Sequence, residues 1–134
     1  QFAGHIVGLR EGDVDFEVRL KLDDENEFVA VITRDSAETM GLTIGMEITA
    51  LVKSSSVLLL NDRTVRTTAR NHLWGEITRI HDGPVNAEVT LALSGGRSVC
   101  AVVTHDSVEK LGLAVGEQVC ALFKASAVIL CLYQ

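Results

Sequence analysis

Apolar and polar residues alternate strictly from residue 14 to residue 23, a pattern that predicts a β-strand with one buried and one solvent-facing side. Shorter apolar runs, separated by acidic residues or glycine, predict four further strands in the first half of the chain. A turn is expected at 23–26. The five predicted strands span residues 2–9, 14–22, 28–32, 46–52 and 56–60.

A short helix is predicted between the third and fourth strands, over residues 35–40. Thr33 is typical of the N-cap, and Ser36 suits the first turn. Gly41 suits the position just beyond the last turn, where the backbone commonly turns left-handed.

The whole pattern occurs twice. Residues 1–63 align without a gap on residues 72–134 at an offset of 71, with 23 identities in 63 pairs. Thr104, Ser107 and Gly112 repeat the helix signals. A gapless internal repeat of this length indicates two copies of one small module. The second copy predicts strands at 73–80, 86–93, 98–103, 118–123 and 127–132.

Three strands, a short helix and two more strands is the element order of the OB-fold. The predicted fold class is therefore all-β, with two tandem OB-like five-stranded Greek-key barrels that each carry one short helix. The predicted domains are residues 1–63 and 72–134, joined by a linker at 64–71. Modules this small bury a limited core and are often stabilised by pairing. A homo-oligomer is therefore expected, and the predicted assembly is a dimer.

Each repeat combines a T-x-x-S motif at the helix start with a lysine near the end of the chain segment that follows. A helix N-terminus favours anions, and a lysine with hydroxyl groups would complete a pocket rich in hydrogen-bond donors. The alternative is a structural N-cap threonine and a solvated lysine. The residues concerned are Thr33, Ser36 and Lys53 in the first repeat, and Thr104, Ser107 and Lys124 in the second.

Composition narrows the possible functions. The net charge of −6 argues against broad binding to nucleic acid or to anionic membranes. No apolar run is long enough to span a bilayer, and no signal peptide is visible. The three cysteines form no C-x-x-C pair, which fits a reducing cytoplasm. The four histidines share no spacing that would suggest a metal-cation site.

The linker and its neighbours, 61–71, hold three of the twelve basic residues and are neither glycine-rich nor proline-bearing. Ordered, partly extended chain is expected rather than a flexible tether. Its arginines either serve solubility or, in the case of Arg70, supply a planar fork of donors to an anion.

Four spaced motifs occur in one order in the second half of the chain, namely T-A-R-N at 68–71, V-N-A-E-V at 85–89, T-x-x-S at 104–107 and K-A-S at 124–126. Together they resemble the molybdate-binding Mop domain of the TOBE-type family. The second repeat matches more closely than the first, in which VDFEV stands for VNAEV and KSS for KAS. In the first repeat, the equivalent of the A-R-N motif would precede Gln1.

The resemblance implies a pair of OB-like barrels that binds molybdate or tungstate in the cytoplasm. Such chains serve as the ligand-sensing region of a molybdate-responsive transcription regulator or in molybdate storage and homeostasis. Their oxyanions lie at subunit or module interfaces formed with swapped strands. By residue, the resemblance assigns the oxyanion to Arg70, Asn71, Thr33, Ser36, Lys53, Ser54, Ser55, Thr104, Ser107, Lys124, Ala125 and Ser126.

The alternative functions come from other classes of protein. OB-folds often bind oligonucleotides through basic grooves and stacking aromatics, but aromatic residues make up 4% of this chain. A purely structural dimerisation module without a ligand is the other alternative. No nucleophile–base pair recurs between the repeats, so an enzyme is not expected.

Overall fold

The structure of the protein, a computed structural model, describes residues 1–22 and 26–132. Residues 23–25, most of one predicted turn, lie outside that range. The first repeat forms β1 (Phe2–Glu11), β2 (Asp15–Lys21), β3 (Glu27–Thr33), α1 (Arg34–Met40), β4 (Glu47–Val52) and β5 (Leu58–Leu60). The second repeat forms β6 (Asn71–Asp82), β7 (Asn86–Ala92), β8 (Ser98–Thr104), α2 (His105–Leu111), β9 (Gln118–Phe123) and β10 (Val128–Cys131).

The predicted all-β fold class is confirmed, with two five-stranded sheets and one short helix in each repeat. The last strand of each repeat begins later than predicted, at Leu58 and Val128. The residues before it form short 3₁₀ turns, Ser54–Ser56 and Ala125–Ala127. Among the described residues, no helix has the length and the apolar run that a bilayer crossing needs.

Each sheet takes its last strand from the other repeat. One sheet has the order β10-β4-β1-β2-β3, and the other has the order β5-β9-β6-β7-β8. All the paired strands are antiparallel, and β10 pairs with β4 from Val128↔Val52 to Cys131↔Thr49. The equivalent pairing, β5 with β9, runs from Leu58↔Leu122 to Leu60↔Cys120. The repeats have therefore exchanged their fifth strands.

Because of this exchange, the compact units of the chain differ from the sequence repeats. The first unit comprises Gln1–Val52 together with Lys124–Gln134, and the second unit comprises Lys53–Phe123. The boundaries predicted from the repeat were 1–63 and 72–134. They follow sequence similarity, whereas the units follow strand pairing, which transfers the segment after each lysine to the other sheet.

The first strand of each repeat is long enough to serve two neighbours. β1 pairs with β4 through its first residues and with β2 through its later ones, and a bulge lies between Ile6 and Gly8. β6 has the equivalent bulge between Ile77 and Arg79. Such bulges bend a strand, which lets one sheet curl toward a barrel. Residue 4 of this strand is glycine because the backbones approach closely there: a Cβ at Gly4 would lie 2.6 Å from the Lys21 carbonyl oxygen.

Alternating positions of the strands form a separate apolar core in each unit. In β2, Val18 and Leu20 are buried as the alternation predicts, and Leu22 just beyond the strand is buried too. Val14 does not follow the pattern. Its side chain is 74% exposed because it lies in the bend before β2 begins. In the second unit, the largest fully buried apolar side chains include Ile77, Val89, Leu91, Val119 and Phe123.

Candidate functional site

The helix α1 begins in a small hydrogen-bonded motif that contains two predicted site residues. Thr33 is the N-cap, and its Oγ1 accepts a hydrogen bond from the backbone N–H of Ser36 at 3.2 Å. The same hydroxyl donates to the Ser36 Oγ at 2.9 Å. The helix ends at Gly41, whose φ of 62° is the left-handed conformation that favours glycine. The Ser36 hydroxyl proton is left to point to another acceptor.

The helix α2 begins in the same way. The Thr104 Oγ1 accepts from the Ser107 N–H at 3.1 Å, and the two hydroxyl oxygens lie 2.7 Å apart. Both threonines are thus N-caps, as the helix signals in the sequence predicted. The capping role still leaves a hydrogen-bond donor available, because two linked hydroxyl groups retain one proton to donate outward.

The two lysines occupy equivalent positions in the 3₁₀ turns. Lys53 is the N-cap of the turn Ser54–Ser56, and Lys124 is the N-cap of the turn Ala125–Ala127. Both side chains are exposed, and neither forms an ion pair with any residue that the structure describes. An ammonium group without an ion-pair partner is suited to an anion.

A pocket lies in the first unit where β3 and the start of α1 face the segment around β10. It encloses about 520 Å³. Strand exchange brings Ser126 of the second repeat to Thr33 and Ser36 of the first. We call this the first-unit pocket, and it is lined by Asp15, Val31, Ile32, Thr33, Ser36, Met40, Ser126, Val128, Ile129 and Leu130.

The second unit has an equivalent pocket of about 430 Å³ between β8, the start of α2 and the segment around β5. Here Ser55 of the first repeat meets Thr104 and Ser107 of the second. We call this the second-unit pocket, and it is lined by Ser55, Val57, Leu58, Leu59, Asn86, Val102, Val103, Thr104, Ser107, Leu111 and Leu113. Both pockets thus join a T-x-x-S motif to the K-x-S segment of the other repeat.

Four other predicted site residues are neighbours in sequence of a pocket-lining serine but do not line a pocket themselves. Lys53 and Ser54 immediately precede Ser55, and Lys124 and Ala125 precede Ser126. Ser54 is partly exposed. Ala125 is 6% exposed, so its contribution to a ligand could come only from the backbone.

Arg70 and Asn71 do not line either pocket. Asn71 opens β6 opposite Phe123, and its side chain is 1% exposed. Arg70 is exposed, and the start of β6 lies two strands from β5 in the sheet, a spacing of about 10 Å. The assignment of Arg70 and Asn71 to the oxyanion therefore stays a prediction.

The linker makes specific local contacts. The Thr64 N–H and hydroxyl both donate to the Asp62 Oδ1, at 2.9 and 2.6 Å, and these bonds hold the pKa of Asp62 below its ordinary value. The Arg63 guanidinium lies 3.8 Å from the centre of the Trp74 ring. These contacts agree with the prediction of an ordered linker, and they cover the face of Trp74 with a cation.

One pair of pocket residues was missed by the sequence analysis. Asp15 lines the first-unit pocket and Asn86 lines the second-unit pocket, at equivalent positions of the repeat. Each lies directly opposite an N-cap threonine, as Asp15↔Thr33 and Asn86↔Thr104. The signal was present in the motifs VDFEV and VNAEV, which differ at this position.

The first residue of each helix is the centre of an ion-pair cluster. In the first unit, Arg34 contacts Glu11 at 2.6 Å and Glu38 at 3.4 Å. In the second unit, His105 replaces the arginine and contacts Asp82 through Nδ1 and Glu109 through Nε2, both at 2.8 Å. The hydrogen bond to Asp82, aided by the charges of both carboxylates, raises the pKa of His105 above 6.5.

Comparison with known proteins identifies the family. The sequence matches the TOBE domain twice, over residues 1–59 and 67–130. The chain belongs to the TOBE domain family. This result confirms the resemblance stated from the motifs, and both matches follow the sequence repeat.

Named relatives of this TOBE chain are molybdenum proteins. It is 61% identical over 133 residues to the molybdenum transport protein ModE of Azotobacter vinelandii, covering 99% of this chain and 49% of that protein. It is 48% identical over 120 residues to the molybdenum-pterin-binding protein MopA of Rhodobacter capsulatus, covering 89% and 45% of the two chains. The chain therefore spans about half the length of the curated relatives it matches.

A solved structure matches the TOBE chain along nearly its full length. It is a crystal form of the cytoplasmic molybdate-binding protein ModG with molybdate bound. The TM-score is 0.96 at 43% sequence identity, and the match covers 98% of this chain and 94% of that one.

Proposed function

We propose that this chain binds molybdate or tungstate as an oxyanion, and that it is not an enzyme. The observation that carries the proposal is the pair of equivalent pockets, each with a T-x-x-S hydroxyl pair and a serine from the K-x-S segment. Family membership supports it, since the relatives are named for molybdenum binding or transport and the matching ModG structure holds molybdate.

The donor set fits the chemistry of a fully deprotonated dianion. Hydroxyl groups of Thr104, Ser107 and Ser55 can donate. Lys53, two residues before Ser55 in the chain, would supply positive charge. Molybdate and tungstate carry no proton of their own at neutral pH, so they need donors and no acceptor. The same roles fall to Thr33, Ser36, Ser126 and Lys124 in the first unit.

The backbone beside each lysine completes the proposed site, at Ser54 in one unit and at Ala125 in the other. Asn71 is proposed to hold the start of β6 through its buried amide, which would fix the position of the preceding residue. Arg70 is proposed to reach an oxyanion held by another protomer, because it does not line the pocket of its own unit.

The proposed assembly is a homo-oligomer, namely a dimer. Exposed large apolar residues support it because they recur at equivalent positions of the two repeats. A duplicated apolar surface is the kind of surface that self-association covers. The equivalent pairs are Val14 and Val85, Ile44 and Val115, and Leu58 and Ile129.

The proposed setting is the cytoplasm, where the chain acts as the ligand-binding region of a longer protein. A sensor region of a molybdate-responsive regulator and a storage protein both fit that description. Direct contact with nucleic acid is not part of the proposal for this segment. Trp74 supports this view, since Arg63 already lies over its ring and leaves that face closed to a stacking base.

Isothermal titration calorimetry with sodium molybdate tests the proposal, and sodium tungstate and sodium sulfate serve as comparison ligands. Saturable heat with molybdate and tungstate is expected at micromolar protein. A titration with single-stranded DNA at low salt should give none. Absence of heat with both metal oxyanions would reject the binding function and favour a structural dimerisation module.

A further inference from the structure

The linings of the two pockets differ in charge at a single position among the residues that form them. Nine other equivalent pairs are apolar in both pockets or carry the same hydroxyl group. At the remaining position the first-unit pocket has Asp15 and the second-unit pocket has Asn86. A carboxylate in one pocket is therefore replaced by an amide of nearly the same shape in the other.

The strand register places this position beside the hydroxyl cluster. Asp15 is opposite Thr33, and Asn86 is opposite Thr104. Residues directly opposite each other in antiparallel strands have Cβ atoms about 5 Å apart and side chains on the same face of the sheet. Asp15 forms no salt bridge with any residue in the described ranges.

The chemistry of the two side chains is opposite toward an anion. An ionised carboxylate only accepts hydrogen bonds and repels a dianion, whereas the amide of asparagine has two N–H donors. A fully deprotonated tetrahedral oxyanion has acceptors only. In the second-unit pocket every polar side chain of the lining can therefore donate to it, at Ser55, Asn86, Thr104 and Ser107. In the first-unit pocket it meets a like charge next to the Thr33–Ser36 pair.

We propose that the residue at this position, Asp15 in the first unit and Asn86 in the second, sets the oxyanion affinity of its pocket. Asn86 donates an N–H of its amide to the dianion, and Asp15 makes the first-unit pocket the weaker site. This inference rests on the proposed oxyanion function and deepens it. The two pockets of one chain are then unequal although their backbones and hydroxyl groups match.

The test is calorimetry with sodium molybdate on Asp15→Asn, Asn86→Asp and the double variant. Asp15→Asn should tighten the weaker class of sites about tenfold or more, and Asn86→Asp should weaken the tighter class by a similar factor. The double variant should exchange the two affinities. Amide NMR shifts of Ser36 and Ser107 during the titration assign each affinity to its pocket.

Asp13→Asn is the matched control because it removes the same charge at an exposed residue outside the pocket lining. Equal effects of Asp13→Asn and Asp15→Asn would overturn the proposal and leave only diffuse electrostatics. Molybdate binding by the wild type with no response to either pocket variant would overturn it too, while the binding function stands. A wild-type chain that binds no molybdate fails both, so the two failures are distinguishable.

Discussion

The two units of the molecule share one fold and one pocket architecture, yet they differ in the charges that surround the pocket. Both units place an N-cap threonine, its serine partner and a serine of the other repeat around the pocket. The first unit adds a carboxylate at Asp15, where the second has Asn86. Duplication thus preserved the hydrogen-bonding geometry while the electrostatics of the two sites diverged.

The ion-pair clusters at the helix starts show the same divergence. Arg34 is a permanent cation, whereas its equivalent His105 is a cation only when it is protonated. The acidic partners are conserved in type at both places. The comparison teaches that the cation of the first cluster is present at every ordinary pH, whereas the cation of the second cluster is present only while His105 is protonated.

Deleting residues 124–134 should have the largest effect, because it removes β10 and the 3₁₀ turn from the first unit. Val128 is 3% exposed, and its loss together with the β4–β10 hydrogen bonds should destabilise the first unit by at least about 3 kcal/mol. Hydrogen exchange should show lost amide protection in β1–β4 and retained protection in β6–β9. Protection retained throughout β1–β4 would contradict the exchanged pairing.

Two smaller changes control for the deletion. Val57 and Val128 are equivalent and buried, at 1% and 3% exposure. Val128→Ala should lower protection in the sheet built mainly from the first repeat, and Val57→Ala in the other sheet, each by about 2 kcal/mol. Effects confined to the repeat that carries the mutation would argue against strand exchange.

Lys53→Ala and Lys124→Ala separate the two pockets at the next level of effect. Each variant should weaken molybdate binding by about 1.5–3 kcal/mol, the typical value of a hydrogen bond to a charged group, with little change in thermal stability. Lys53→Ala should act on the second-unit pocket and Lys124→Ala on the first-unit pocket, because each lysine precedes the serine that lines that pocket. Unchanged affinity in both variants would remove the lysines from the site.

Arg70 tests whether a residue outside the pocket linings contributes to the site. Arg70→Lys keeps the charge and loses the planar fork, and we expect molybdate affinity to fall by about 1–2 kcal/mol. Arg66→Lys is the matched control. Arg63 is unsuitable as a control because its contact with Trp74 gives it a structural role. Equal effects of the substitutions at residues 66 and 70 would indicate diffuse electrostatics.

The smallest expected effect is a pH dependence that belongs to the second unit. The hydrogen bond to Asp82 raises the pKa of His105, so its contribution to stability is complete below about 6.5 and is lost as pH rises through the raised value. His105→Arg should flatten that part of the profile of stability against pH, measured by urea unfolding between about pH 5.5 and 8.5. Arg34→His should introduce a similar slope in the first unit.

Much of this structure was predictable from local sequence patterns. The alternation in β2, the capping signals around α1 and α2, and the internal repeat are all short-range features, and they predicted the fold class and the element order correctly. The T-x-x-S motif likewise predicted which residues begin each helix. Such features depend on neighbours three or four residues away, so one sequence contains enough information to identify them.

The strand exchange and the pocket membership were not predictable in the same way. β5 and β10 have similar sequences, and each could pair with either β4 or β9 without changing which residues are apolar. The choice depends on where the linker and the 3₁₀ turns direct the chain, which periodicity does not encode. The positions of Asp15 and Asn86 were not predictable either, because only the register of β2 with β3 and of β7 with β8 shows that each residue faces an N-cap threonine.

The exchanged strands also impose an order in which the two units can fold during synthesis. The second unit, Lys53–Phe123, is one continuous stretch of chain, so all of its strands are available as soon as Phe123 has left the ribosome. The sheet of the first unit contains β1 to β4, which are made before the second unit, yet it waits for β10, which is translated after the second unit. During that interval β4 has an unpaired edge, a site where a neighbouring nascent chain could supply its own β10. A fold built from two similar halves thereby becomes most open to intermolecular exchange in the half that is translated first.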